Sequence, residues 1–284
     1  MITFRGQVAL ITGAGRGLGA AHARLLAELG AAVIVHDAGV ELDGTAGDPA
    51  VADTVVEEIR RSAGVAEPSY EDLTDPHAAE RLVALTVERF GRLDALVHNA
   101  GLLVWSAIEE TSDDVWARMR AVGVDAAFAL ARAAFPVMRG QGYGRIVLTV
   151  SGRAMYVDAS MPGLSAYSAA KGAQLGLMVA LAAEGEPQGI LVNAISPVAA
   201  TRMLQHDTEG DELLPELVSP GVAFLASSAC GVSGVVLRAS DGRFSCARWH
   251  FSPGVDLGRR AVSPDVVADR WPEILGDAPA GPAR

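Results

Sequence analysis

The feature that most constrains this chain is an alternation. Short runs of apolar, often β-branched residues recur along its 284 residues: VALIT (8–12), AVIVH (32–36), ALVHN (95–99), RIVLTV (145–150), ILVNAI (190–195) and GVVLRA (234–239). Runs that are apolar almost throughout, rather than at every second position, suit strands buried on both faces. Between them lie helix-like stretches at about 18–29, 49–62, 76–90, 112–138, 165–184 and 216–228. Strand, helix, strand repeated in this way predicts a parallel sheet covered on both sides. VAEPSY (65–70) is weaker in pattern, but it falls where the alternation requires a seventh strand.

Some boundaries have a local cause. Asp75 followed by Pro76 can cap and start a helix, because proline lacks the donor that would be orphaned there. Gly91 and Gly140 are expected as C-terminal stops. AGVELDGTAGDPA (38–50) reads as a surface loop after the second strand, and the Pro/Gly/Ala-rich end as a frayed tail. No repeat or linker divides the chain, so a single domain over 1–272 with a flexible tail at 273–284 is expected.

Charge narrows the partners. Lys and Arg total 23 against 34 Asp and Glu, a net −11, which disfavours a broad nucleic-acid or anionic-membrane surface. Cys230 and Cys246 lack metal-ligand company and read as reduced thiols, which fits a cytoplasmic chain. The N-terminus MITFRGQVALITG has neither a charged leader nor a cleavage site. The apolar stretch near 173–183 is broken by Gln174 and Gly176 and stops at Glu184, short of a membrane span. No spacing supports a catalytic metal or covalent cysteine chemistry.

TGAGRGLG (12–19) follows the first strand and opens the first helix. Gly13, Gly17 and Gly19 permit a tight turn and close backbone approach, so that amides at the helix start can meet a pyrophosphate. Asp37 ends the second strand 18 residues after Gly19, near the spacing of a carboxylate that holds adenosine ribose hydroxyls. There it would repel a 2′-phosphate, so NAD(H) is predicted over NADP(H), with Arg16 pulling mildly the other way. Asp72 can accept from an adenine amino group or prepare the next helix. Asn99, Ala100 and Gly101 close the fourth strand, where carboxyl-end residues line the crevice of an open sheet. Asn99 can equally satisfy buried backbone groups.

Tyr167 and Lys171, in YSAAK, stand four apart and share a helix face. A phenol is a poor base near neutral pH, with a reference pKa of about 10, and a neighbouring ammonium favours its phenolate. Ser151, just after the fifth strand, supplies a hydroxyl to position the same substrate oxygen. An isolated Tyr/Lys pair is usually packing beside a surface charge. Behind a dinucleotide fingerprint and a strand-terminal serine it reads as a proton-transfer pair.

At this point the chain resembles the short-chain dehydrogenase/reductase family. TGAGRGLG, Asp37, DLTD (72–75), NAG (99–101), the Ser151 region, YSAAK (167–171) and ISPVAATRM (195–203) carry the likeness. The resemblance implies an α/β fold, a single Rossmann-type domain with a doubly wound seven-stranded parallel sheet and a C-terminal extension, often assembled as a tetramer. It also implies NAD(H)-dependent hydride transfer with a small carbinol or ketone. Tyr167 would be the acid/base, Lys171 would bind nicotinamide ribose and assist it, and Ser151 would orient the substrate oxygen. Pro197, Val198 and Thr201 would lie beside the nicotinamide, and Leu18 and Leu73 would complete the cofactor contacts.

The chain looks closer still to the (3R)-hydroxyacyl-CoA dehydrogenase domain of peroxisomal multifunctional enzymes, through ADTVVEEIRRSAG (52–64), YGRIVLT (143–149), RWHFSPG (248–254) and PDVVADRW (264–271). Two departures stand out. Gly123 occupies the place of a family asparagine that supports the proton relay, for which a backbone carbonyl and a water can substitute. Ser151 and Tyr167 are 16 apart, about three more than is usual in the family, which reshapes the loop over substrate. Tyr156, Asp158 and Met161 are candidates to face that pocket, and Ser160 and Ser165 are alternative hydroxyls. Trp105 is a candidate pocket wall. Arg153, Arg202, Arg243 and Arg248 are candidates for coenzyme A phosphates if they fold near the mouth. The acidic TRMLQHDTEGDELLPEL (201–217) reads as a solvated lid. The expected activity is interconversion of a secondary alcohol and a ketone, with a 3-hydroxyacyl thioester as one substrate. The competitors are a pathway-specific ketone reductase, a redox-silent relative, and a dinucleotide-binding scaffold or sensor.

Overall fold

The apolar runs become strands of one sheet, and what separates them becomes helix. In the computed structural model, residues 1–45, 47–48, 50–199, 213–249, 251–258 and 262–276 are described. In chain order they form β1 (Val8–Thr12), α1 (Gly17–Glu28), β2 (Ala32–His36), α2 (Ala50–Arg61), β3 (Val65–Ser69), α3 (Ala78–Phe90) and β4 (Ala95–His98). There follow α4 (Asp113–Arg120), a π-helical turn (Ala121–Asp125), α5 (Ala126–Gln141), β5 (Gly144–Thr149) and α6 (Ser165–Gly185). β6 (Ile190–Val198), α7 (Ser219–Ala226), β7 (Val236–Ser240) and β8 (Arg243–Ala247) complete the sheet and its cover.

The strand order is β3-β2-β1-β4-β5-β6-β7-β8, parallel throughout except for the last pair. Successive side chains of a strand face opposite ways, and the core divides accordingly. Ala9 and Ile11 of β1 join Ala23, Leu26, Val55 and Val222 on one face, while Leu10 joins Leu82, Leu130 and Met178 on the other. The helices therefore sort into α1, α2 and α7 on the first face and α3, α5 and α6 on the second. Each fully buried Leu or Ile, such as Leu10, Leu96 and Ile146, contributes about 2 kcal/mol. Pro68, without an amide hydrogen, sits in the edge strand β3, where a missing donor is tolerated and the sequence pattern is weakest.

The sheet has eight strands where seven parallel ones were expected. Asp241 and Gly242 both adopt positive φ, 48° and 71°, and this two-residue turn folds β8 back antiparallel on β7. A second difference lies at the end of α5. Gly91 closes α3 in the left-handed conformation as expected, but the helix before β5 runs through Gly140 and stops at Gly142, φ 65°. The run from Asp113 to Gln141 is long and apolar enough to cross a membrane, yet Leu130, Ala134 and Met138 are fully buried in the core.

At the amino ends of the strands, polar side chains latch the sheet. The Asp94 carboxylate accepts from Val8 N at 2.9 Å and pairs with Arg92. Gln141 reads both backbone groups of Leu93, at 2.8 and 3.0 Å. Buried Arg145 donates to the carbonyls of Gly144, Ser227 and Gly189 and stacks on Tyr143 at 4.3 Å. Its charge is shared among carbonyl dipoles in place of a carboxylate.

Residues Arg248–Arg284 form a second compact unit beside Met1–Ala247 in sequence. It contains α8 (Pro264–Asp269), capped by the Ser263 hydroxyl, and α9 (Trp271–Leu275), ended by Gly276 at φ 83°. The Ser252 hydroxyl donates to Ile274 O and closes this unit on itself.

Candidate active site

The strand order reverses between β1 and β4, and an open sheet of this kind leaves a crevice at the carboxyl ends of the two strands that diverge. Gly13 after β1 and Asn99 to Gly101 after β4 line that crevice. Their approach is close. A Cβ at Gly13 would stand 2.8 Å from the Ala100 backbone, and one at Gly19 would stand 2.0 Å from Gly13 O. Glycine at these positions follows from packing, and Gly19 acts there, without lining the crevice.

One hydroxyl organises the floor. The Thr12 oxygen accepts from Asn99 N and Ala100 N, both at 3.2 Å, and lies 3.0 Å from His98 Nδ1. With both acceptor sites used, the Thr12 hydrogen goes to Nδ1, so the neutral ring carries its proton on Nε2. Burial, with a smaller contribution from the Lys171 charge, holds His98 at about 3 and keeps it neutral. Its Nε2 faces the Val122 backbone at a geometry short of a hydrogen bond. Asn99 Nδ2 donates to Gly13 O at 3.0 Å, so this side chain holds the glycine turn. Thr12 and His98 escaped sequence reasoning, although the threonine before the first glycine was visible.

The start of α1 suits an anion. Arg16 at its N-cap is extended, makes no side-chain cap, and the first turn holds no acid. The orphan amides of this turn therefore remain for a ligand, and the helix dipole favours a negative one. Arg16, Gly17 and Leu18 line the crevice there. Asp37 accepts from Gly15 N and Gly39 N, each at 2.8 Å, and its carboxylate faces the same crevice. Asp72 accepts from Thr74 N and its hydroxyl in the turn before α3 and also lines the crevice with Leu73.

The loop after β2 differs from a plain surface excursion. Val40, Leu42 and Gly44 line the crevice, and Leu103 N donates to Leu42 O at 2.9 Å. Arg16 pairs with Glu41 of this loop at 4.0 Å. Arg118 on α4 lines the crevice as well. The loop glycines and polar residues carried no signal of this inward fold, because its anchor is a backbone bond to a residue 61 positions away.

Ser151, Tyr167 and Lys171 come together at the other end. Ser151 leaves β5 and starts a tight turn, its oxygen accepting from Arg153 N at 3.2 Å. Tyr167 sits in the first turn of α6 and Lys171 one turn on. Burial pushes the Tyr167 phenol up, while a hydrogen bond with Ser151 and then the charge of Arg153 pull it down. The cation acting on the phenol is thus Arg153. Lys171 donates to Thr149 O at 2.6 Å, and burial alone lowers it to about 8.

Gly123 lies in the π turn, where an added Cβ would come 2.8 Å from Ala170 Cβ, so α6 packs too closely for any side chain. Its carbonyl accepts from Gln174 Nε2 at 2.7 Å. The longer Ser151–Tyr167 segment forms a second short turn at Val157–Ala159, and Gly163 O accepts from Ser106 N at 2.9 Å. Met161 Sδ and the Trp105 ring meet Arg153, at 3.1 Å and 5.4 Å. Val157 is 91% exposed, and Trp105, Tyr156, Asp158, Ser160, Met161 and Ser165 are outside the crevice lining. On β6, Pro197 lines the crevice and so does Ala199 beyond its end, while Val198 between them does not, as strand alternation requires. Thr201 and the acidic 201–212 part of the expected lid lie outside the described residues.

A doubly wound sheet with a glycine turn at its switch point and a serine, tyrosine and lysine in one crevice defines a class, and the comparisons agree. The family of short chain dehydrogenases matches residues 7–212, and the chain belongs to that family. It is 37% identical over 278 residues to the peroxisomal multifunctional enzyme type 2 of Mus musculus, covering 96% of this chain and 37% of that relative. The chain thus spans little more than a third of that relative's length. Among solved structures it is similar to a short chain dehydrogenase from Mycobacterium avium, with TM-score 0.84, 36% identity, and 99% and 98% of the two chains covered. It is also similar to carveol dehydrogenase from Mycobacterium avium in complex with NAD, with TM-score 0.75, 28% identity, and 84% and 97% covered.

Proposed function

We infer that the protein is an NAD(H)-dependent oxidoreductase that interconverts a secondary alcohol and a ketone, with a 3-hydroxyacyl thioester among its candidate substrates. The observation that carries this is the convergence of Ser151, Tyr167 and Lys171 on the crevice that begins at the uncapped start of α1. The glycine turn fits a dinucleotide, because its backbone can be approached where any Cβ would intrude. Bound there, the nicotinamide gives or takes the hydride. Tyr167, held protonated by burial, donates its proton to the forming alkoxide in reduction and accepts it back in oxidation. The Ser151 hydroxyl holds the same oxygen, and Lys171 keeps a positive charge near the ribose. Asp37 favours NAD(H), since its carboxylate repels a 2′-phosphate and Arg16 is drawn to Glu41. The NAD complex of the carveol dehydrogenase supports this choice.

A homo-oligomer, tetrameric by family likeness, is supported by large apolar side chains left exposed on neighbouring helices, Phe128 at 53% and Val179 at 53%. A cytoplasmic setting is supported by two free thiols and the acidic surface.

The test is reduced-nicotinamide absorbance with NADH or NADPH and a panel of β-ketoacyl thioesters, cyclic ketones and steroid ketones. Tyr167→Phe is expected to cut turnover by about two to four orders of magnitude while leaving NADH binding intact. Asp37→Ser is expected to shift preference toward NADPH. Dinucleotide binding with no turnover on any ketone would favour the scaffold.

A further inference from the structure

Charge is unevenly spread along the crevice. Its lining carboxylates, Asp37, Glu41 and Asp72, all follow β2 and β3, at the end where Arg16 and Arg118 also line it. Around Ser151 and Tyr167 the lining charges are Arg153 and Lys171, both positive. In a chain of net charge −11, a crevice end lined by two cations and no carboxylate favours an anion.

Arg153 is also held in place. Its guanidinium lies 5.4 Å from the Trp105 ring centroid, and Nη1 meets the Met161 sulfur at 3.1 Å, a weak and neutral acceptor. Its own carbonyl accepts from the Ser168 hydroxyl at 3.1 Å, which ties it to α6. Among the described residues no carboxylate pairs with it, although eight other arginines have one. An oriented guanidinium on a crevice-lining residue, with no acidic partner among the described residues, suits a planar anion.

Its position limits the anion. Arg153 follows Ser151 by two residues, its carbonyl is bonded to the Ser168 hydroxyl next to Tyr167, and it lines the crevice with Ser151 and Tyr167, so an anion it receives is attached close to the reacting carbon. The phosphates of coenzyme A, at the far end of a long pantetheine arm, do not meet that condition. Resting on the oxidoreductase function inferred above, we propose that Arg153 determines specificity by receiving the carboxylate of a short oxo acid or hydroxy acid, a few bonds from the carbon that exchanges hydride. Hydride then moves between that carbon and the nicotinamide, the proton between its oxygen and Tyr167, and the carboxylate is unchanged.

The test is calorimetric titration, with NAD⁺ in excess so that no hydride is available to the ketone, of wild type, Arg153→Gln and Arg153→Lys with α-, β- and γ-oxo acids and their methyl esters. Wild type is expected to bind one acid about tenfold or more tighter than its ester. Arg153→Gln is expected to erase that preference and Arg153→Lys to keep part of it. Equal affinities for acid and ester, no detectable binding of either, or a preference that survives in Arg153→Gln overturns the proposal. So does an equal loss for acid and ester, which would mean that Arg153 acts only through Tyr167. Because heat of binding is read without turnover, absence of wild-type redox activity on every ketone would count against the oxidoreductase function and leave this result standing.

Discussion

Lys171→Met should make the folded protein more stable near neutral pH while removing its activity, and the gain should vanish in alkali. Lys171 is 4% exposed, its pKa is lowered from 10.5 to about 8 by burial, and it donates to Thr149 O. A lowered folded-state pKa means that the unfolded chain binds more protons between about 8 and 10.5. Stability of the wild type therefore rises through that window, and the full penalty applies below it. The 2.5-unit difference corresponds to about 3 kcal/mol at pH 7, and about 2 kcal/mol of it should be recovered by pH 9.5. Methionine fills similar volume without the charge, and losing the bond to Thr149 O offsets about 1 kcal/mol. Urea denaturation of the cofactor-free proteins from pH 7 to 9.5 should show the mutant ahead by about 2 kcal/mol at the start and level with wild type at the end. A difference that does not change with pH refutes the reasoning, because it would mean that the buried charge is not what costs stability.

Two other substitutions probe the frame of the site. Gly123→Ala should destabilise by about 1–3 kcal/mol, since its Cβ would press on Ala170 Cβ at 2.8 Å, and Ala170→Gly should restore most of that in a double-mutant cycle read by thermal unfolding. Thr12→Val keeps the shape but orphans Asn99 N and Ala100 N, for a loss of about 2 kcal/mol in urea denaturation and weaker NADH binding by fluorescence titration.

The parallel order of the sheet was legible because doubly buried strands are apolar almost throughout, and so was the crevice, because a switch point must carry its glycines and its strand-terminal asparagine. What escaped depends on contacts distant in sequence. The inward fold of the loop after β2 rests on Leu42 meeting Leu103, and the π turn exists where Gly123 meets Ala170, neither of which leaves a local pattern. The choice of Gly142 over Gly140 is of the same kind, since both residues can take positive φ and the start of β5 decides between them. The eighth strand is a different case. Asp241-Gly242 is the usual dipeptide of a tight hairpin, a local signal that the expectation of a C-terminal extension beyond the last parallel strand leaves out. Arg153 shows a last limit: sequence gave its charge, but only Trp105 and Met161 give its direction.

The latches at the amino ends of the strands bear on how such a protein can change. Asp94, Gln141 and Arg145 fasten strands and neighbouring loops by side chain to backbone, at the end of the sheet opposite the crevice. Rigidity and chemistry are thus assigned to opposite rims, and loops at the reactive rim can be exchanged, lengthened or recharged with little effect on what fastens the other. The lengthened segment between Ser151 and Tyr167 is one such exchange, and it is the piece a protein engineer would replace first to give this scaffold a new substrate.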